Sequence, residues 1–157
     1  MNSIIIFCSP NDSSAAELAD LLLKSNCGIR ITINPSGNLA AASIAAFCTV
    51  PSFLQVPKLL PETVAVCDSC DKNALALLAK SKTPAVIAGM SRFDTVTLSS
   101  ITEKEATVSL LRPVASVYGN ITEPCEFTVK LSKPYSCRTI LLYSAVMILL
   151  NIFPEQM

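Results

Sequence analysis

The chain has 157 residues, of which 51% are hydrophobic and only 15% charged, with a mean hydropathy of +0.51. Twelve Lys and Arg balance twelve Asp and Glu, so no basic surface recommends nucleic acid and no acidic tail is present. Histidine is absent, which removes the commonest general base and the commonest zinc ligand, and with them every His-dependent triad or metal site.

Ile4 to Cys8 is a short apolar, β-branched run suited to a strand buried on both faces. Ser9, Pro10, Asn11 and Asp12 are turn and cap residues. From Ala15 to Lys24 the apolar residues Ala16, Leu18, Ala19, Leu22 and Leu23 recur at helical spacing. Asn11, Asp12 and Ser13 are the candidate N-caps, and Ser14 with Glu17 fits a capping box. Gly28 sits where the helix should stop. Ile29 to Ile33 reads as a second strand, Asn34 to Asn38 as a turn, and the Ala-rich stretch Leu39 to Phe47 as a second helix. Pro51, Pro57 and Pro61 make the next segment irregular.

Thr63 to Cys67 reads as a third strand and Asp71 to Lys80 as a helix that Asp71 can N-cap, with Asp68 and Asp71 flanking the turn between them; Pro84 to Ala88 reads as a fourth strand ending at Gly89. Repeated βα units of this kind imply a parallel sheet with right-handed crossovers. Arg92 and Asp94 read as surface residues beyond it. The pattern then changes. Thr95–Ser100, Ala106–Arg112, Ala115–Val117 and Cys125–Leu131 form a β-rich stretch with short polar turns, an antiparallel meander. A last apolar helix spans about Ser136 to Ile152. Residues 1–157 thus form one α/β domain: βα units over 1–90, an antiparallel extension over 91–133 and a C-terminal helix over 134–157. The run from Ile140 to Phe153 is too short and too interrupted for a membrane span, and the N-terminus lacks the basic region of a signal peptide.

Strand, loop and helix at the N-terminus is the opening of nucleotide-binding α/β domains, whose loop turns backbone N–H groups toward a phosphate. The chemistry that should accompany it is missing. Between Ser9 and Ser14 there is no Gly to let the backbone wrap phosphates and no Lys to neutralise them, and Asp12 puts a negative charge where a phosphate would lie.

The order of elements, with parts of the sequence, resembles the central ATP-binding domain of the Mur ligases. Ser9-Pro10-Asn11-Asp12-Ser13-Ser14 matches the family's Gly-Thr-Asn-Gly-Lys-Thr/Ser loop at Asn11 and Ser14. Ala65 to Leu77, which includes Asp68 and Asp71, matches the strand that ends in an Asn/Asp-rich motif before a helix. Val86 to Gly89 matches the strand ending in Gly. Glu126 to Leu131 closes the small antiparallel sheet, and Tyr135-Ser136 precedes the final helix where the family has a His-Asn pair. The resemblance implies a P-loop-type three-layer core, and it makes Ser9, Asn11, Asp12, Ser13, Ser14, Asp68 and Asp71 the degenerate equivalents of its nucleotide-binding positions. Ser13 stands in place of the catalytic Lys and Asp12 in place of a Gly. About fifty residues separate Ser14 from Asp68, too few for the family's long middle segment with its magnesium-binding Glu and His. The implied protein has lost ATP hydrolysis, holds no cofactor or metal, carries no catalytic residue and acts as a binding or interaction module.

A residual nucleotide-binding ligase-type enzyme or ligase subunit is the alternative. A third reading rests on Cys67 and Cys70, a C-x-x-C at a strand end before a helix, where a helix N-terminus lowers a thiol pKa. Against it, the seven cysteines lie mostly in apolar runs and read as reduced core residues of a cytoplasmic protein that should mostly resist labelling. The last helix is apolar nearly all round, so the sequence also predicts an exposed stripe at positions such as Met147 and a homo-oligomer, most simply a C2 dimer, with the last helix or the antiparallel sheet in its interface. Neither nucleic acid nor membrane is an expected partner.

Overall fold

The computed structural model describes residues 2–10, 12–34, 39–50 and 58–153. Its first half alternates strands and helices: β1 (Ser3–Cys8), α1 (Ser14–Lys24), β2 (Arg30–Ile33), β3 (Leu39–Ala40), β4 (Ile44–Cys48), β5 (Lys58–Leu59), β6 (Val64–Asp68), α2 (Lys72–Ser81) and β7 (Ala85–Ala88). The second half is β8 (Val96–Ile101), β9 (Glu105–Leu110), β10 (Val114–Ala115), β11 (Ile121–Thr122), β12 (Cys125–Lys130) and α3 (Cys137–Leu149). Eight strands form one sheet in the order β12-β9-β8-β7-β6-β4-β1-β2. β2, β1, β4, β6, β7 and β8 run parallel, while β9 pairs antiparallel with both β8 and β12. An α/β class with a mostly parallel sheet and an antiparallel extension is therefore correct. The β10–β11 and β3–β5 pairs stand outside the main sheet.

Counting only its first five parallel strands, the sheet has the order 2-1-3-4-5, one of the two common doubly wound arrangements. Alternate residues of each strand face opposite layers. Ile4, Ile6, Ile44, Ala46 and Val66 pack with α1 and α3. Ile5, Phe7, Ala45, Phe47 and Ala65 pack with Ala74 and Leu78 of α2.

The stretch from Leu39 to Phe47 is not a helix. Ile44–Cys48 is a central strand buried along its whole length, paired with β1 on one side and β6 on the other. The alanines that favour a helix in isolation serve here as small side chains between two packed layers, and Phe47 stacks on Phe7 with ring centroids 5.1 Å apart. Tertiary packing outweighs a per-residue propensity of a few tenths of a kcal/mol. The capping box is absent too. Ser13 is the N-cap of α1 but makes no side-chain cap bond, and Glu17 is engaged elsewhere. Nor is Asp94 a surface residue. It is 4% exposed and accepts hydrogen bonds from the Ser69 hydroxyl and the Ser91 N–H. Gly89 leaves the space for it, since a Cβ there would collide with both side chains.

α3 corrects a larger expectation. Thr139 to Leu150 are buried on every side of the helix within a single chain, so no apolar stripe is left for a partner. The sheet lies under the helix, α1 flanks it, and the loop between β10 and β11 caps its end through the Val117 N–H on Leu149 O at 2.8 Å. A helix that is hydrophobic all round belongs in a core. This one is also too short to span a bilayer, and no helix among the described residues is long and apolar enough to do so.

Asp20 fastens α1 to the approach to α3. Its Oδ2 accepts from the Tyr135 hydroxyl at 2.7 Å and lies 3.0 Å from Lys24 Nζ and 3.3 Å from Lys133 Nζ. Tyr135 first, then Lys24, hold its carboxyl down from 3.8 to about 2. A depressed carboxylate pKa stabilises the fold above the unfolded value, and that contribution disappears as pH falls through the folded one. Stability should therefore drop between about pH 4 and pH 2, and Asp20→Asn should flatten that part of the profile. Urea unfolding at stepped pH measures it, and an unchanged slope in the variant would reject the assignment.

Candidate functional site

In doubly wound sheets ligands bind outside the carboxyl ends of the strands, where the strand order reverses. Here that point lies between β1 and β4, whose last residues, Cys8 and Cys48, are register partners. The loops after β1, β4 and β6 meet there with the first turn of α3.

After β1 the chain turns with the Asp12 N–H on Ser9 O at 3.0 Å. Asp12 Oδ1 then accepts the Ser14 N–H at 2.8 Å, placing a carboxylate at the N-terminus of α1. Burial pushes the Asp12 carboxyl up, but the Ser14 N–H and hydroxyl, the Thr49 hydroxyl and the Arg138 guanidinium outweigh it and hold the pKa below the ordinary value. The group is therefore charged at neutral pH. Ser13 is exposed and Ser9 half-buried. Asn11 lies outside the described residues.

Asp68 and Asp71 do flank one turn, as the sequence suggests, and both are buried. Asp68 Oδ1 accepts the Cys70 N–H at 2.7 Å. Asp71 is the N-cap of α2: Oδ1 accepts the Ala74 N–H at 3.1 Å, while Oδ2 accepts the Val50 N–H at 3.0 Å. Asn73 Nδ2 donates to Val50 O at 2.8 Å, so α2 holds both backbone groups of Val50.

Arg138 joins these pieces. Its Nε lies 3.4 Å from Asp68 Oδ2, and its Nη1 donates to Thr49 Oγ1 at 2.5 Å. Thr49 has φ +51°, a left-handed conformation that a β-branched residue adopts at a cost of about 1–3 kcal/mol, and such strain gathers at functional positions. Thr49, Val50, Cys70, Asp71, Asn73 and Arg138 line a cleft of about 320 Å³. On the other side of β1, Asn34 extends the sheet edge by accepting the Cys8 N–H at 2.9 Å and donating to Cys8 O at 3.1 Å.

The N-termini of all three described helices are thus filled from within the protein: α1 by Asp12, α2 by Asp71 and α3 by Ser136, whose Oγ accepts the Thr139 N–H at 3.2 Å. Glu17 adds a further carboxylate at α3, accepting from the Thr139 hydroxyl at 2.8 Å. No group of three or more Cys, Asp or Glu among the described residues is placed to hold a metal ion. Sequence reasoning missed Thr49, Asn34, Asn73 and Arg138. Asn73 lay unremarked inside the Asn/Asp-rich match from Ala65 to Leu77, and Arg138 left a trace as the single charged residue in α3.

Cys67 and Cys70 sit in different surroundings. Cys67 is buried in β6, and burial first, then Asp71 and Asp68, push its thiol up to about 12, whereas Cys70 is exposed. Fewer cysteines are shielded than the sequence suggests, because Cys125 and Cys137 are exposed as well. Iodoacetamide should modify Cys70, Cys125 and Cys137 in the native protein within minutes, and Cys8, Cys48 and Cys67 only on unfolding. Peptide mass mapping reads this out, and rapid labelling of Cys67 would bring the C-x-x-C chemistry back.

No protein-family model matches the chain, and no curated protein matches it.

Proposed function

We propose that this chain is a non-catalytic binding or interaction module of Mur-ligase-like type that has lost its phosphate site. One observation carries the reading, the Asp12 carboxylate on the Ser14 N–H. A phosphate bound at a helix N-terminus uses those N–H donors and the positive end of the helix dipole. Asp12 takes the donor and places a like charge at the same spot, so an incoming phosphate would have to displace it. The strand–loop–helix opening and the antiparallel extension before a last helix fit the element order of the resemblance. The strand order belongs to doubly wound sheets of many chemistries and argues for none of them alone.

Millimolar Mg-ATP is expected to leave the melting temperature unchanged and to release no phosphate. A thermal shift that disappears in Ser14→Ala would replace this reading with that of a residual nucleotide-binding ligase. As an interaction module the chain self-associates through surfaces other than α3. Phe93, 72% exposed, and Met90 beside it are among the largest apolar side chains left outside. Light scattering that finds only monomer at micromolar concentration would remove the homo-oligomer from the proposal.

A further inference from the structure

The sheet has a gap beside β7. β8 meets β7 only at the Ala88–Val96 pair, where the Thr95 N–H bonds Ile87 O and the Gly89 N–H bonds Val96 O. The carbonyls of Pro84 and Ala88 face the other way, accepting from Ala65 and Ser69 on the β6 side. Backbone groups alternate sides along a strand, so the N–H and C=O of Ala85 and the N–H of Ile87 face β8, which does not reach them. Among the described residues no strand pairs with β7 there.

A groove of about 320 Å³ opens at the start of this edge, lined by Ala85 and Val86 of β7, Val64 of β6, Arg112 and Val114 after β9, and Leu149 of α3. Arg112 is the one charged residue among the described residues that line it. Its guanidinium donates to two neutral acceptors, Phe93 O at 2.7 Å and Asp94 O at 2.8 Å. No carboxylate among the described residues lies within ion-pair distance of it, in contrast to Arg138.

We propose that this groove takes a short extended peptide segment as an added strand on the free edge of β7, with apolar residues along the groove and a carboxylate against Arg112. Edge pairing supplies main-chain hydrogen bonds, and alternate side chains supply selectivity. The uncompensated positive charge in an otherwise uncharged groove selects an acidic segment. This site is distinct from the β1–β4 crevice, so the Mg-ATP result and the result below can fail separately.

The probe is the peptide acetyl-Thr-Val-Thr-Val-Glu-amide, followed by amide NMR on the full chain. Shifts are expected at Ala85, Ile87, Thr95 and Val114, with slowed hydrogen exchange at the Ala85 and Ile87 amides. Replacing the probe's Glu with Gln should weaken binding roughly tenfold, as should Arg112→Gln in the protein. Because Arg112 also holds the Phe93 loop, Ala85→Glu serves as a second variant. Ala85 is exposed, so the fold should survive while the acidic probe is repelled. The proposal is overturned by an absence of shifts at millimolar peptide or by equal binding of a probe with proline in place of both valines. Shifts confined to Thr49 and Arg138 would overturn it as well, as would peptide-independent, concentration-dependent shifts at Ala85, which would mean that a second copy fills the groove.

Discussion

Replacing Met147 with lysine is expected to leave no folded protein. Met147 is completely buried, as are its neighbours in α3 from Ile140 to Leu149. An ammonium group there would have no carboxylate partner and no route to water, and burying an unpaired charge costs well over 4–5 kcal/mol. A domain has about 5–15 kcal/mol of stability in all. Met147→Leu, which nearly conserves volume, should cost less than about 1.5 kcal/mol. Far-UV circular dichroism and gel filtration separate the possibilities. A helix at a subunit interface would give soluble, folded monomers with the lysine variant, and that outcome would refute the burial of α3 within one chain.

Asp71→Ala should produce the next largest loss. It removes the N-cap of α2, worth about 1 kcal/mol. It also strands the Val50 N–H, which is buried with that residue, at about 1–3 kcal/mol. The sum, about 2–4 kcal/mol, corresponds to a drop of roughly 4–16 °C in melting temperature for a domain of this size. Asp71→Asn keeps an acceptor for the Ala74 N–H and should recover part of the loss. If calorimetry finds Asp71→Ala within a degree of the parent, the carboxylate is held for a ligand and its place in the fold is incidental.

The two substitutions also mark how far the sequence can be read. The Asp71 cap was legible because capping is local: the residue, the turn before it and the helix after it are contiguous. β1, β2, β6, β7, the helices α1, α2 and α3 and the β8–β9–β12 extension carry equally local patterns. β4 was not legible because its Ala-rich run is ambiguous until the layers above and below it are known. Met147 pointed outward only on the assumption that a helix has one buried face. Around the crevice, the loop after β1 was legible from its turn and cap residue types, but Arg138 reaches Thr49 and Asp68 across 89 and 70 positions of chain. No periodicity spans such distances, and the strain at Thr49 shows only in its backbone angle.

The burial of α3 has a consequence for how the chain folds. One face of the sheet, drawn from strands between Ser3 and Lys130, receives its principal filling from the last helix. On the ribosome that face stays open until residues 137–149 have emerged, so the parallel strands cannot settle into a stable N-terminal half before the helix arrives. Closure is then a late event that depends on contacts far apart in the chain, which makes folding slow and leaves the nascent strands prone to association. The element that completes the core also sets when the domain can exist.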